Sequence, residues 1–208
     1  MRIRVKVCGI TRIEDALVAA EAGVDAIGLV FYPNSARAVE AEQAAHIARA
    51  LPPLVTCVGL FVNATPETIA AVLDVVPLQL LQFHGDECPS DCGRFGLPYL
   101  KAVSMRAGLD LARYADTYPD ASGFLLDSHG GGKAGGTGER FDWALTPRSF
   151  ARPWLLAGGL NADNVADAIQ RTRPWGIDLS SGVESAPGVK SAEKIKALMN
   201  EVRRVNCS

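Results

Sequence analysis

Features that mark several classes of protein are scarce in this chain of 208 residues. No uninterrupted apolar run approaches the roughly 18 residues that a helix needs to cross a bilayer, so the sequence predicts no membrane association. The N-terminal stretch MRIRVKV lacks the long apolar segment of a secretory signal, which predicts a cytoplasmic location. The formal net charge is only −2, so nothing indicates a nucleic-acid partner.

Cysteine and histidine are also few. Five cysteines are an odd number and follow no secretion signal, which argues against a disulfide framework. Cys88 and Cys92 have a spacing that could suit a metal, but no second cysteine or histidine pair lies nearby and the chain has only three histidines. We therefore expect these two thiols to lie at the edge of a helix, and we expect neither a metal site nor a cofactor.

The chain does contain a regular alternation of short β-branched runs with amphipathic segments. Strands are predicted at eight places: 2–8, 26–31, 55–61, 78–83, 98–104, 123–127, 153–157 and 176–180. With 48% hydrophobic residues, the chain has enough apolar side chains for a substantial core. Length and composition together predict one domain that spans residues 1–208.

Helix-start signals stand between the predicted strands. Thr11 opens a T-x-x-E capping box, and Thr65 precedes a proline in the first turn of an apolar periodic segment. Asn161 and Ser191 have the side chains that favour the first position of two later helices. The patterns near 108–115 and 142–150 predict weaker helices.

Strand–helix alternation predicts parallel strands that are joined by right-handed crossovers. Eight such units favour a (β/α)8 TIM barrel. The alternative is an open, doubly wound sheet, but its Gly-x-Gly-x-x-Gly signature is absent after the first strand, where the chain reads CGIT. In a (β/α)8 barrel the active site lies at the C-terminal ends of the strands, which selects the candidate site residues.

Cys8 ends the first strand and is either a small core residue or a reactive thiol. Lys6 shares a face with Cys8 if the pleat continues to the end of the strand. Asp127 follows an apolar run, so desolvation should raise its pKa and suit it to act as a general acid. A structural Asp that caps the following glycine-rich loop is an equal alternative. Asp178, on the eighth strand, could bind sugar hydroxyls or pair with a neighbour inside the barrel.

Two other side chains near strand ends could take part. Arg37 follows the second strand and could hold a carboxylate with its planar guanidinium, although a solvated loop charge is the simpler reading. His84 follows the fourth strand and could be catalytic, or it could be a histidine packed at a strand end.

The loops after the last two strands favour an anion site. Gly158 and Gly159 stand directly before a helix start, and Ser181 and Gly182 follow the next strand. Backbone N–H groups and a helix dipole can bind a phosphate there, and TIM barrels often bind phosphate at this place. Glycines that merely allow tight turns are the alternative, but two such loops on adjacent strands favour phosphate.

These motifs together resemble the phosphoribosylanthranilate isomerase family of tryptophan biosynthesis. The matching stretches run in order from residue 5 to residue 191 and are VKVCGIT, GLVFYPNSARAV, VGLFVN, LQLLQFHGDE, LLDSHGGGKAGGTGERFDW, LLAGGLNADNV and GIDLSSGVESAPGVKS. One small departure is Asn34 and Ala36 in YPNSAR, where the family more usually has lysine and proline.

The resemblance implies a cofactor-free Amadori rearrangement of N-(5-phosphoribosyl)anthranilate. The residue matching Asp127 protonates the furanose ring oxygen, and the residue matching Cys8 removes the proton from sugar C2. The residue matching Arg37 holds the anthranilate carboxylate. We expect a monomer or a homodimer, and we expect the loop at 128–140 to close over the substrate as a lid.

Two other functions remain open at this stage. One is another phosphosugar isomerase on the same barrel, such as an epimerase-like enzyme, which would need metal-binding histidines at the strand ends. The other is a non-catalytic barrel that binds phosphosugars, which would tolerate loss of Cys8 or Asp127. A fluorescence assay that follows consumption of the anthranilate substrate distinguishes all three.

Overall fold

A computed structural model describes residues 2–127, 143–147 and 149–206. Its central feature is a closed barrel of eight parallel strands in sequential order. The barrel strands are β1 (Arg4–Cys8), β2 (Ala26–Val30), β3 (Thr56–Phe61), β4 (Leu80–Phe83), β5 (Tyr99–Ser104), β6 (Gly123–Asp127), β7 (Trp154–Leu156) and β8 (Gly176–Leu179). All eight predicted strands are confirmed, as is the TIM-barrel fold class.

Helices follow most of the strands and cover the outside of the barrel. They are α1 (Ile13–Ala22), α2 (Ala41–Ala50), α3 (Pro66–Val75), α4 (Pro89–Gly93), α5 (Leu111–Asp116), α6 (Val165–Thr172) and α7 (Ala192–Asn206). Short 3-10 turns occupy Trp143–Leu145 and Ser181–Val183. After β8 the chain forms an antiparallel hairpin of β9 (Glu184–Ala186) and β10 (Val189–Lys190). No helix in the described ranges is both long and apolar enough to span a bilayer.

The helix starts confirm some of the predicted caps. The Thr65 side chain accepts a hydrogen bond from the backbone N–H of Thr68 at 3.3 Å, so it caps α3. Ser191 accepts in the same way from the N–H of Lys194 at 3.3 Å. The weak helix predicted near 108–115 is present as α5, capped by Asp110.

Other predicted helix starts were wrong, because one side chain makes a tertiary contact and the other residue lies in a local turn. The Thr11 hydroxyl donates to the carbonyl of Gly188 at 2.5 Å and does not cap α1, which begins at Ile13. Asn161 lies in a turn of its own, because its N–H donates to Oδ1 of Asn164 at 2.9 Å, and α6 begins only at Val165. In place of the helix predicted over 142–150, the described part of that segment holds a 3-10 turn.

Apolar side chains form two kinds of core. The larger lies between the barrel and the helices and includes Phe61, Phe83 and Phe124, all fully buried. Separate small clusters pack elsewhere, and one of them contains Cys8, Val30 and Leu60. Residues of β1 and β8 are in register, with Lys6 opposite Asp178, so polar groups from both strands meet inside the barrel.

The cap of α3 offers a test of this local analysis. We expect Thr65→Ala to lower the free energy of unfolding by about 1 kcal/mol, because it leaves an N-terminal helix donor without its acceptor. Urea denaturation followed by circular dichroism measures the change. Thr65→Ser keeps the acceptor and should stay close to the parent protein, and equal stability of the Ala and Ser variants would contradict the assignment.

Candidate active site

The first group of site residues surrounds Cys8 at the end of β1. Lys6 Nζ donates to Oδ1 of Asp178 at 2.9 Å, and both side chains are buried. A Cβ atom built on Gly28 would lie 2.8 Å from Cys8 Sγ and 3.1 Å from Lys6 Nζ. The thiol and the ammonium therefore approach the same point over β2, which confirms that Lys6 and Cys8 share a face.

The pKa values in this cluster are shifted by burial and by the neighbouring charges of Lys6 and Asp178. Burial raises the pKa of the Cys8 thiol and Asp178 adds to the rise, while Lys6 and Lys190 oppose it. Burial and repulsion from Asp127 raise the pKa of Asp178, against the attraction of Lys6. Burial disfavours the Lys6 ammonium, but Asp178 and Cys8 together hold its pKa above the usual value because two potential anions flank it. The resting state therefore favours a neutral thiol beside a charged Lys6.

A second group connects Arg37 to the hairpin that follows β8. Arg37 donates through Nε to Glu184 Oε1 at 2.8 Å and through Nη2 to Oε2 at 2.7 Å. Lys190 Nζ donates to the same Glu184 carboxylate at 2.7 Å and to the backbone carbonyl of Cys8 at 2.7 Å. A Cβ atom on Gly9 would lie 2.4 Å from Arg37 Cδ, so only glycine lets the arginine pack here.

Charges in this second group support one another. Burial pushes the pKa of Glu184 upward, but hydrogen bonds from Arg37 and Lys190 hold it below its usual range. The hydrogen bond from Arg37 to Glu184 raises the pKa of the guanidinium. Burial lowers the pKa of Lys190, with Glu184 opposing that effect. Arg37 is therefore not a solvated loop charge but a fixed cation at the barrel mouth.

Asp127 lies at the end of β6 with only 6% of its surface exposed. Its Oδ2 is 3.2 Å from Nε2 of His84, and Nδ1 of the same imidazole is 2.9 Å from Nε2 of Gln82. Asp127 and His84 both act on the pKa of Asp178, so this group and the Cys8 group belong to one electrostatic environment. The raised pKa of Asp127 itself stays a prediction.

A cavity of about 200 Å³ opens beside Asp127. It is bordered by polar and apolar groups from the ends of β4 to β6, including His84, Ser104 and Arg106.

The loops after β7 and β8 are packed directly against each other. Gly158 and Gly159 have φ angles of 93° and 63°, in the left-handed region that favours glycine. A Cβ atom on Gly182 would lie 1.9 Å from the carbonyl oxygen of Leu160, so the two loops meet where no side chain fits. Ser181 begins the 3-10 turn that contains Gly182. Backbone N–H groups of such loops can bind an anion, so a phosphate site at these loops stays a prediction.

Some predictions fall outside the described residues. The segment 128–140, expected to act as a lid, is one of these. Within the ranges that the structure describes, no group of three or more His, Cys, Asp or Glu side chains is arranged to hold a metal ion.

Comparison with known proteins identifies the family. Residues 5–201 match the family described as N-(5'phosphoribosyl)anthranilate (PRA) isomerase. This chain belongs to the PRA isomerase family. The family is one of isomerases in tryptophan biosynthesis, and the function expected from the sequence motifs is thereby confirmed.

Individual PRA isomerases resemble the chain over nearly its whole length. N-(5'-phosphoribosyl)anthranilate isomerase of Azotobacter vinelandii is 59% identical over 201 residues, which are 97% of this chain and 98% of the relative. The crystal structure of the Thermotoga maritima isomerase has a TM-score of 0.88 and 42% identity, and covers 97% of this chain and 99% of its own. Another solved PRA isomerase, in complex with reduced 1-(o-carboxyphenylamino)-1-deoxyribulose 5-phosphate, has a TM-score of 0.82 and 38% identity, and covers 97% of this chain and 99% of its own.

Sequence reasoning about a PRA isomerase site missed several side chains that the structure brings to the mouth. Glu184 and Lys190 were not selected, although both lie in the motif GVESAPGVKS that carried the resemblance. Their role depends on the hairpin folding back over β1, which no local pattern indicates. Gln82 was visible only as a strand-end residue, and its contact with His84 depends on rotamers that the sequence does not specify.

The ammonium beside Cys8 leads to a test of the thiol. We expect Lys6→Met to raise the pKa of Cys8 further, because the nearest cation that favours the thiolate is lost. Mass spectrometry of iodoacetamide labelling at Cys8, from neutral to alkaline pH, should show the reaction moving to higher pH. Lys196→Met, on the exposed side of α7, is the matched control.

Removal of Lys6 also leaves the buried Asp178 carboxylate without its partner, which can destabilise the fold. The double variant Lys6→Met with Asp178→Asn removes both charges and should fold more readily. An unchanged labelling profile in folded Lys6→Met protein would show that this ammonium does not control the thiol. The double variant is compared with Asp178→Asn alone, because loss of the Asp178 charge by itself should lower the pKa of Cys8.

Proposed function

We propose that this chain catalyses the Amadori rearrangement of N-(5-phosphoribosyl)anthranilate to 1-(2-carboxyphenylamino)-1-deoxyribulose 5-phosphate, with Cys8 as general base and Asp127 as general acid. The observation that carries the proposal is that Cys8 ends β1 and Asp127 ends β6, so that both lie at the mouth of a PRA isomerase barrel. An internal redox reaction needs one group that gives a proton and one that takes a proton, and these side chains can supply both.

The first step is ring opening. Asp127 donates a proton to the furanose ring oxygen, the bond from that oxygen to C1 breaks, and the nitrogen lone pair forms a C1=N Schiff base. Burial of Asp127 suits this step, because a desolvated carboxyl group keeps its proton more readily than an exposed one. After donation Asp127 is a carboxylate, which the nearby His84 N–H can stabilise.

The second step is removal of the proton at C2. The Cys8 thiolate takes that proton, and the C–H electrons form a C1=C2 bond and neutralise the Schiff base nitrogen. The resulting enolamine gains a proton at C1 and loses one from the C2 hydroxyl, which gives the ketone without an external oxidant or reductant. Because burial raises the pKa of the free thiol, we infer that Lys6 and the positive charge of the Schiff base together favour the thiolate when substrate is bound.

The two ends of the substrate are bound by different groups. Arg37 holds the anthranilate carboxylate, and Glu184 supports this role by fixing one edge of the guanidinium. The phosphate binds to the backbone of Gly158, Gly159, Ser181 and Gly182. Asp178 contributes by holding Lys6 beside Cys8 and by facing the sugar.

Domain organisation, cellular location and oligomeric state are part of the same proposal. We infer one domain over residues 1–208 that acts in the cytoplasm as a monomer or a homodimer. Support for a dimer comes from a relative, since one solved Thermotoga maritima structure is described as mutually generated monomers of a dimeric isomerase.

The acid and base assignments predict large losses of activity. We expect Cys8→Ser to lose most of its kcat, because a hydroxyl is much harder to deprotonate than a thiol. Asp127→Asn should lower kcat roughly 10²–10⁴-fold, the usual contribution of a general acid or base. Loss of anthranilate substrate fluorescence measures both variants against the parent protein.

Activity of the parent chain tests the reaction and each variant tests one residue. Full activity in Cys8→Ser would remove the base assignment, and full activity in Asp127→Asn would remove the acid assignment. Parent protein that binds phosphosugars but consumes no substrate would be a non-catalytic barrel.

The phosphate assignment predicts a different kinetic change. Gly159→Leu should raise KM strongly and lower kcat in part, because a bulky side chain blocks approach of the backbone to the phosphate and remote binding energy also orients the reacting carbons. Gly96→Leu is the matched control for backbone strain, since Gly96 has a φ of 68° and a Cβ atom there meets nothing within 4 Å. Equal KM values for the two folded variants would contradict a phosphate site at Gly159.

A further inference from the structure

The imidazole of His84 lies between two side chains with different chemistry. Its Nδ1 faces the Gln82 amide nitrogen at 2.9 Å, and its Nε2 faces Oδ2 of Asp127 at 3.2 Å. Gln82 is fully buried on β4, so water does not compete for its amide. An amide nitrogen can only donate, and a ring nitrogen that receives this hydrogen bond must carry no proton. The contact therefore determines where the imidazole proton resides.

The orientation of the Gln82 amide follows from its surroundings. Its Oε1 has no hydrogen-bond partner within the described part of the chain. If the amide were turned over, its two N–H donors would take that place and would lack an acceptor among the residues that the structure describes. An orphaned buried donor is rarer in proteins than an undersatisfied carbonyl, so the donor belongs against His84.

The backbone on both sides of His84 is held by a buried cation. Lys101 is completely buried, and its Nζ donates to the carbonyl oxygens of Gly85 at 2.5 Å and Phe83 at 3.5 Å. It also donates to Glu87 Oε2 at 3.1 Å, and Glu87 in turn accepts from the N–H of Gly85 at 3.0 Å. A Cβ atom on Gly85 would lie 2.3 Å from Oδ1 of Asn63, so the backbone at Gly85 packs tightly against Asn63.

We propose that Gln82 holds His84 as the neutral imidazole with its proton on Nε2, and that His84 is the positioning residue that orients Asp127. This inference rests on the proposed function for the acid role of Asp127. The His84 N–H donates to Oδ2 and fixes the plane of the carboxyl group from which the proton is given. After Asp127 has given its proton to the ring oxygen, the same N–H stabilises the carboxylate that remains.

A neutral ring suits this site better than an imidazolium. A proton on Nδ1 would be directed at the Gln82 N–H group, which is a donor. An imidazolium would also form a full ion pair with the Asp127 carboxylate and draw Asp127 away from its acid form. Asp178 lies near both groups, and its charge acts on the same ring. The Asp127 and Asp178 carboxylates would favour an imidazolium, but the hydrogen bond from the Gln82 amide favours the neutral ring of His84.

The ring state can be measured without any assay of activity. The chain has three histidines, so ¹⁵N-labelled histidine gives few signals, and the His84→Gln variant identifies those of His84. At neutral pH we expect His84 to show a protonated Nε2 and an unprotonated Nδ1. In Gln82→Glu the new carboxylate accepts a hydrogen bond, so Nδ1 should become protonated. A protonated Nδ1 in the parent protein would overturn the inference.

Kinetics test whether His84 acts through Asp127. We expect His84→Leu to lower kcat about 10²-fold with little change in KM, the order of loss that misplacement of a catalytic group can cause. His84→Gln should recover part of that loss, because its amide nitrogen can donate near the position of Nε2. His46→Leu makes the same substitution at an exposed histidine of α2 and should leave kcat unchanged.

A double-variant cycle separates this inference from the proposed function. In the Asp127→Asn background, His84→Leu should cause little further loss, since residues that act as a unit are not additive. An equal loss in both backgrounds, with Asp127→Asn itself slow, would overturn the role of His84 alone. Near-full kcat in Asp127→Asn would overturn the acid of the proposed function, and the role of His84 with it.

Discussion

The buried ammonium of Lys190 connects all the chain segments that form one side of the barrel mouth. Its Nζ contacts the Cys8 carbonyl at the end of β1 and the Glu184 carboxylate on the hairpin after β8. Through Glu184 it also determines where Arg37 lies, and its own backbone N–H donates to Oδ2 of Asp15 at 2.9 Å on α1. The positions of Cys8 and Arg37, the candidate base and the candidate carboxylate-binding cation, therefore depend on one buried charge, and the backbone of the same lysine contacts the first helix.

Among the described residues, the same arrangement occurs three times around the barrel. Lys6, Lys101 and Lys190 are all buried, and they pair with Asp178, Glu87 and Glu184 respectively. Burial of an ion pair gives little net stability, because desolvation offsets most of the attraction and apolar replacements are often as stable. Stability alone does not explain three such pairs. Their positions do, since each pair holds a segment that carries a candidate site residue: Cys8, His84 or Arg37.

Rigid placement matters because the proposed reaction forms a positively charged Schiff base and transfers two protons between the substrate and fixed side chains. Cys8 and Asp127 lie on strands at different sides of the mouth, and neighbouring side chains pack against each of them. Gly28 and Gly9 leave room for the thiol, the ammonium and the guanidinium where any Cβ atom would collide with them. Glycine at these places is a packing requirement of the site as well as a matter of backbone freedom.

The strands and the alternation of elements could be predicted from the sequence, because period-two and helical patterns are local and survive any tertiary context. Thr65 was predicted as a cap for the same reason, since its hydroxyl faces only its own helix. Thr11 has an equally good local capping signal, yet its hydroxyl donates a hydrogen bond to the carbonyl of Gly188, which is distant in sequence. Local propensity fails where a long-range partner offers a better hydrogen bond.

The sequence by itself determined the barrel, the strand-end positions of Cys8 and Asp127 and the place of Asp178 on the eighth strand, because strand periodicity and the strand-end rule need no long-range information. The family followed from the resemblance of the motifs between residues 5 and 191. Only the tertiary structure decided how those groups are charged and held. The Glu184 contact to Arg37 spans 147 residues and the Lys6 contact to Asp178 spans 172. Such pairs exist only once the barrel closes, and burial then sets pKa directions that no sequence pattern contains.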